Sequence, residues 1–177
     1  MHVLKRLAFL ALFVPLFAQA QVEGARRDPM RHFFMPTLGD LAAEAAEARA
    51  AGRQAVFIMY TRDDCPYCER MKQNILSLAA VQERYRQSFA VLAVDIRGAV
   101  PLVDFGGKTV TEREFARAQG VRFSPVIVFY DFGGRPLARV AGEIRDAEEF
   151  LLLGEFVSSG AHRTQSFAEY KQSKKGT

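Results

Sequence analysis

Cysteine and histidine are scarce in this sequence, and tryptophan is absent. The chain has 177 residues, with two Cys, three His and no Trp. Two cysteines are too few for a small domain built on several disulfides, and they exclude a four-cysteine zinc site. Hydrophobic residues make up 49% and charged residues 25% of the chain. That composition excludes collagen-like, coiled-coil and disordered chains, and the length suits one compact domain with extensions.

Long apolar runs are also missing, except in residues 1–20, which have the pattern of an export signal. Lys5 and Arg6 precede the apolar stretch Leu7–Phe17, and Ala18-Gln19-Ala20 offers the small residues of a cleavage site. The stretch is shorter than the roughly 20 residues that span a bilayer, so we expect a cleaved signal peptide and no embedded segment. Export predicts a periplasmic protein, in a compartment where disulfides form and persist.

The positive charge gives little support to nucleic-acid binding. The formal net charge is +4, and cleavage of the signal would remove Lys5 and Arg6 and lower it to +2. We therefore expect no nucleic-acid partner.

Short apolar runs alternate with helical patterns along the rest of the chain. Buried strands are predicted at Ala55–Tyr60, Phe89–Ile96 and Val126–Tyr130, with another strand at Leu137–Val140. Helices are predicted over Leu38–Arg53, from Pro66 and over Val81–Arg86. Two more helices are predicted after capping boxes at Thr111/Glu114 and Asp146/Glu149, and the last helix extends to about Val157. The pattern predicts an α/β protein whose mixed central sheet is flanked by helices.

Three segments extend this core. Residues 21–53 are expected to be an N-terminal lead-in and helix, with an exposed Phe33-Phe34 pair. Residues 96–119 add a hairpin that turns on Gly106-Gly107 and a helix, either to recognise a partner or to cover the fold. The main domain spans 54–163, and 164–177 is expected to be a solvated basic tail.

Both cysteines lie in Cys65-Pro66-Tyr67-Cys68, after a predicted strand and at the start of a helix. Unpaired amides and the helix dipole favour a thiolate at Cys65, and the thiolate is the reactive form. Cys68 lies one turn later and can resolve a mixed disulfide. Pro66 suits a first helical turn, where its missing N–H costs nothing. The motif predicts a redox-active dithiol.

A structural disulfide and a metal site are the alternatives for this pair. A bridge across two intervening residues gives little entropic stabilisation. A zinc site needs more ligands, and only His32 and His162 remain after cleavage, neither close to the motif. We therefore expect neither a metal nor an organic cofactor.

The chain resembles the thioredoxin superfamily over residues 54–160, beyond the cysteine motif. Gly120–Pro125, followed by the strand Val126–Asp131, is similar to the family's cis-proline segment. Gly133-Gly134 and Gly142 match family turns. The resemblance implies a thioredoxin fold and a cis Pro125 facing the dithiol. It also implies that the backbone of Ser124 pairs with an extended substrate peptide, beside Tyr67 and Phe123.

Two stretches, Asp64–Met71 and Ser166–Tyr170, are similar to exported thioredoxin-like proteins of the SoxW type. This resemblance implies a reductant of disulfide-containing extracytoplasmic proteins, supplied by a membrane electron donor, and we expect the protein to be a monomer. Two alternatives remain open: a periplasmic disulfide oxidase or isomerase, and a carrier that binds Cu(I) through its soft thiolates.

One family feature is missing. Met59 stands where thioredoxins have a buried acid, and Val91 where they have its lysine partner. We therefore expect the proton of Cys68 to leave through water or a nearby acid, with Glu69 or Asp64 as the candidate acceptor.

Overall fold

A four-stranded mixed sheet forms the centre of the protein. The computed structural model describes residues 25–175, and the predicted export signal lies outside them. The strand order is β2-β1-β5-β6, with β1 parallel to β2 and antiparallel to β5, and with β5 antiparallel to β6. The strands are β1 (Ala55–Thr61), β2 (Phe89–Asp95), β5 (Val126–Tyr130) and β6 (Pro136–Ala141). The predicted mixed sheet is confirmed.

The sequence predicted five of the seven helices in residues 25–175, all except the first and the last. A small separate sheet precedes the fifth helix. The helices are α1 (Pro29–His32), α2 (Leu41–Ala50), α3 (Pro66–Met71), α4 (Ala79–Ser88), α5 (Glu112–Ala118), α6 (Ala147–Ser158) and α7 (Phe167–Lys175). A π-helical turn, Lys72–Leu76, continues α3, and a 3-10 turn, Ala161–Arg163, follows α6. The separate sheet is the predicted hairpin of β3 (Pro101–Val103) and β4 (Thr109–Thr111).

Alternate side chains of β1, β2 and β5 enter two different cores, as strand geometry requires. In β1, Phe57 and Met59 face the core that contains the two cysteines. Val56, Ile58 and Tyr60 face the other core. Burial on both faces explains why the central strands appear in the sequence as continuous apolar runs.

The inserted segment covers the second core. Leu102 of β3 and Phe115 of α5 are both buried there. The predicted capping box of α5 is confirmed, because Thr111 and Glu114 bond each other's backbone amides at 2.8 and 3.2 Å. The capping box predicted for α6 forms only in part, and the prediction is wrong for Glu149. Asp146 does accept the first-turn amides, but in the described residues the Glu149 carboxylate accepts Lys171 instead.

The expectation that Phe33 and Phe34 are exposed is wrong. Asp28 accepts the Met30 amide at 2.9 Å and starts α1, which Pro29 can enter without losing a hydrogen bond. This short helix directs both rings inward, where they are 0% and 3% exposed. Because burying two aromatic rings removes a large apolar area from water, the lead-in is part of the core.

The prediction that residues 164–177 form a solvated tail is also wrong. Residues 167–175 form α7, which packs against α6. Tyr170 is 6% exposed, and its hydroxyl donates to Glu155 at 2.8 Å. Lys171 and Lys174 form ion pairs with Glu149 and Glu155. The lysines that led to the prediction of a solvated tail therefore form ion pairs with acidic residues of α6, and the aromatic residues of α7 pack against the core.

Candidate active site

The two cysteines form a disulfide at the first turn of α3. Their Cα atoms are 5.2 Å apart, and Cys65 is the N-cap residue of the helix. The Sγ atom of Cys65 accepts the Cys68 amide at 3.1 Å. A thiolate formed at Cys65 would keep this hydrogen bond and gain from the unpaired amides of the first turn, which is the placement that the sequence predicts.

Two aromatic side chains stand out from the surface near the dithiol. Tyr67, between the cysteines, is 50% exposed, and Phe123, two residues before Pro125, is 53% exposed. Pro66 begins α3 as predicted. The Arg70 guanidinium lies 4.5 Å from the centre of the Tyr67 ring, within the range of a cation–π contact.

The Ser124–Pro125 segment lies at the same end of the sheet as the disulfide. Val126 pairs with Tyr60 across the β1–β5 ladder, so Pro125 lies beside the segment that leads from β1 to Cys65. The Ser124–Pro125 peptide bond is cis. The carbonyl of Pro125 accepts the Gly142 amide at 2.9 Å, and this bond joins the segment to the β6–α6 loop.

A further contact at this end was not predicted from the sequence. Arg70 of α3 binds Glu143 through two parallel hydrogen bonds of 2.9 and 3.1 Å. Glu143 is only 8% exposed, and the guanidinium of Arg70, with a smaller contribution from Arg145, holds the pKa of the Glu143 carboxyl below its usual value. Because the pair spans 73 positions of the sequence, no local pattern could have indicated it.

The candidate proton acceptors both form ion pairs with cationic side chains. Glu69 pairs with Lys72 at 2.8 Å, and Asp64 pairs with Arg62 and Arg97, each at 3.0 Å. In residues 25–175, neither carboxylate bonds a cysteine. Beneath the disulfide, Met59 is fully buried among apolar side chains. A proton released by Cys68 would therefore have to leave toward the surface.

The described part of the chain offers few other side chains that could bind a metal ion or take part in the reaction. The described part of the chain contains no group of three or more His, Cys, Asp or Glu that could hold a metal ion. His162 lies half-buried beside Phe156, with ring centres 6.2 Å apart. No helix within residues 25–175 has the length and apolarity needed to cross a bilayer.

A sequence model of the thioredoxin-like domain family matches residues 41–158, more than half of the chain. The chain belongs to this family. Its matched segment contains the dithiol and the Ser124–Pro125 loop, and the thioredoxin fold expected from the resemblance is confirmed. No curated protein sequence matches this thioredoxin-like protein.

Solved structures share the fold. A thioredoxin-fold protein from Helicobacter pylori has 19% identity and a TM-score of 0.61, covering 71% of this chain and 86% of its own. A thioredoxin from Thermus thermophilus has 29% identity and a TM-score of 0.50, covering 65% and 81%. The oxidised C-terminal domain of DsbD from Neisseria meningitidis has 15% identity and a TM-score of 0.51, covering 66% and 90%.

Proposed function

We propose that this thioredoxin-like protein is a thiol–disulfide oxidoreductase that reduces disulfides of extracytoplasmic proteins. The observation that carries the proposal is the Cys65–Cys68 disulfide at the first turn of α3, beside the Ser124–Pro125 loop. The 29% identity to a thioredoxin supports the same chemistry. The resemblance of Asp64–Met71 and Ser166–Tyr170 to the SoxW type supports the reducing direction.

The reaction begins with the reduced dithiol. The Cys65 thiolate attacks one sulfur of the substrate disulfide, the S–S bond breaks, and the other substrate sulfur leaves as a thiolate that takes up a proton. Cys68 then loses its proton and attacks the Sγ of Cys65. The second substrate thiol is released, and the protein is left with the disulfide seen in the structure. Two electrons and two protons pass to the substrate for each disulfide reduced.

The proton of Cys68 passes to water or to a surface carboxylate in this scheme. Met59 and Val91 offer no buried acid or base, so the route runs outward. Glu69 is the candidate acceptor on the dithiol helix itself, and Asp64 is the candidate on the preceding loop. Both carboxylates form ion pairs with cationic side chains, and the proton would reach either of them through water.

The substrate is held by backbone and by exposed rings. Ser124 is half-buried two residues before β5, and its backbone can pair with an extended peptide in the manner of strand addition. Tyr67 and Phe123 provide apolar contact on either side of the disulfide. This arrangement suits a disulfide in an extended segment of a protein.

Export, a monomeric state and a membrane electron donor complete the proposal. Residues 1–20 support export by their charged start, apolar stretch and small-residue end. A donor is needed because each turnover consumes the dithiol, and reduction of Cys65–Cys68 requires two electrons from another dithiol.

Insulin reduction and a redox titration test this proposal. The wild-type protein with a chemical reductant should precipitate insulin chains, and Cys65→Ser should be inactive. A potential near −270 mV would support a reductant, and a potential near −120 mV would instead assign an oxidant. Stoichiometric Cu(I) binding without reductase turnover would replace the proposal by the carrier alternative.

A further inference from the structure

Five arginines line one open cleft beside the dithiol. The cleft has a volume of about 520 Å³, and Ile96 and Val121 form the apolar part of its wall. We call it the arginine cleft; its arginines are Arg62, Arg97, Arg113, Arg117 and Arg122. They come from three separate parts of the chain, so only the folded protein brings them together.

The arginine cleft shares its walls with both loops of the site. Arg62 lies three residues before Cys65, and Arg122 lies three residues before Pro125. Arg97 donates to both oxygens of Asp64, at 3.2 and 3.0 Å, and Asp64 directly precedes Cys65. The arginine cleft therefore borders the two loops that a substrate polypeptide approaches when its disulfide reaches Cys65.

The arginine cleft holds few ion pairs. In residues 25–175, only Arg62 and Arg97 of the five arginines form ion pairs, and they share the single carboxylate of Asp64. Glu114 accepts from Thr111 and forms no ion pair with an arginine of the cleft, and Glu112 accepts the Asp95 amide at 3.2 Å.

Three of the five guanidinium groups have no ion pair. Arg113, Arg117 and Arg122 are exposed and make no side-chain hydrogen bond or ion pair with residues 25–175. Clustered cations repel one another until an anion binds between them, so this surface favours a negatively charged ligand.

We propose that the arginine cleft binds an acidic segment of the protein whose disulfide is reduced, so that Asp or Glu residues near the substrate cysteine raise the rate. This inference rests on the proposed function. Guanidinium groups match carboxylates through paired hydrogen bonds, and the apolar wall can hold the methylene groups of a Glu side chain. The arginines are confined to a cleft next to the dithiol, which favours a ligand that is part of the substrate itself.

Three synthetic peptides test the inference. Each contains one intramolecular disulfide, flanked in turn by Glu, Gln or Lys, and kcat/KM is measured with a chemical reductant. The wild type should prefer the Glu peptide over the Lys peptide by roughly fivefold, a size typical of a few exposed ion pairs. The preference should shrink at about 1 M salt, where the Debye length is about 3 Å.

A double variant and a matched control assign the effect to the cleft. Arg113→Gln/Arg117→Gln removes two charges from α5, away from both loops of the site, and should lower the Glu-peptide rate roughly threefold without changing the Gln-peptide rate. Arg49→Gln/Arg163→Gln removes two charges from the opposite end of the sheet and should preserve the preference.

The possible failures are distinguishable. Equal wild-type rates on all three peptides, or a preference that survives Arg113→Gln/Arg117→Gln, would overturn the inference alone. Absence of turnover on every peptide would overturn the proposed function, and the inference with it. Equal loss of preference in the cleft variant and the control would show a general charge effect and would also overturn the inference.

Discussion

Arg70 and Glu143 form a bidentate ion pair, with Nε 2.9 Å from Oε1 and Nη2 3.1 Å from Oε2. The pair joins the dithiol helix to the β6–α6 loop, which in turn bonds the Pro125 carbonyl through the Gly142 amide. Two contacts outside the cysteine motif, the ion pair and the hydrogen bond from Gly142 to Pro125, therefore hold together the dithiol helix, the β6–α6 loop and the Ser124–Pro125 segment.

This ion pair should make stability depend on pH in the acid range. The pKa of Glu143 is lowered in the folded protein, so its stabilising effect is complete above the unfolded value near 4.3 and is lost as the pH falls through the lowered pKa. Glu143→Gln should lower the melting temperature by about 2 °C at neutral pH. The difference from wild type should shrink as the pH falls through this lowered pKa; a constant difference across the acid range would contradict this role.

Phe33 should contribute strongly to stability although it lies outside the family match. Its ring is fully buried and meets Phe57 and Phe150 at centre distances of 5.6 and 6.1 Å. Phe33→Ala should lower the free energy of unfolding in urea by about 3–5 kcal/mol. Leu38→Ala is the control, because Leu38 is fully exposed and its loss should change stability by less than about 0.5 kcal/mol.

The C-terminal helix should stabilise the domain through Tyr170. Tyr170→Phe removes the hydroxyl that donates to Glu155 and should cost about 1 kcal/mol, and Tyr170→Ala should cost about 2–4 kcal/mol more by removing the ring from the core. Lys175→Ala, at an exposed position of the same helix, should be neutral. If all three variants were as stable as the wild type, this segment would contribute nothing to stability and would be a free tail.

Tyr67 and Phe123 should matter for protein substrates more than for small disulfides. Both rings are half-exposed, so Tyr67→Ser and Phe123→Ser should leave the free energy of unfolding within about 0.5 kcal/mol of wild type. We expect both to lower kcat/KM for insulin severalfold and to leave the reduction of a small aromatic disulfide unchanged. A parallel loss on both substrates would indicate damage to the dithiol rather than to docking.

The sequence predicted those features that depend on local pattern. The strands are continuous apolar runs because they are buried on both faces, and the dithiol is visible in the spacing of Cys65 and Cys68. Residues 28–34 were missed although Asp28-Pro29 is a recognisable helix start; the signal was present but short. The Arg70–Glu143 pair and the arginine cleft depend on contacts between distant segments, which no local pattern encodes.

The attack of Cys65 on a substrate disulfide is the central claim, and trapping tests it directly. Purified Cys68→Ser is incubated with a disulfide peptide, and Cys65→Ser is the matched control; intact mass and peptide mapping locate any adduct. The account predicts a stable mixed disulfide on Cys65 in the first variant and none on Cys68 in the second, because Cys65 is the N-cap residue of α3 whereas Cys68 lies within the helix. No adduct on Cys65, or an equal adduct on Cys68, would contradict it.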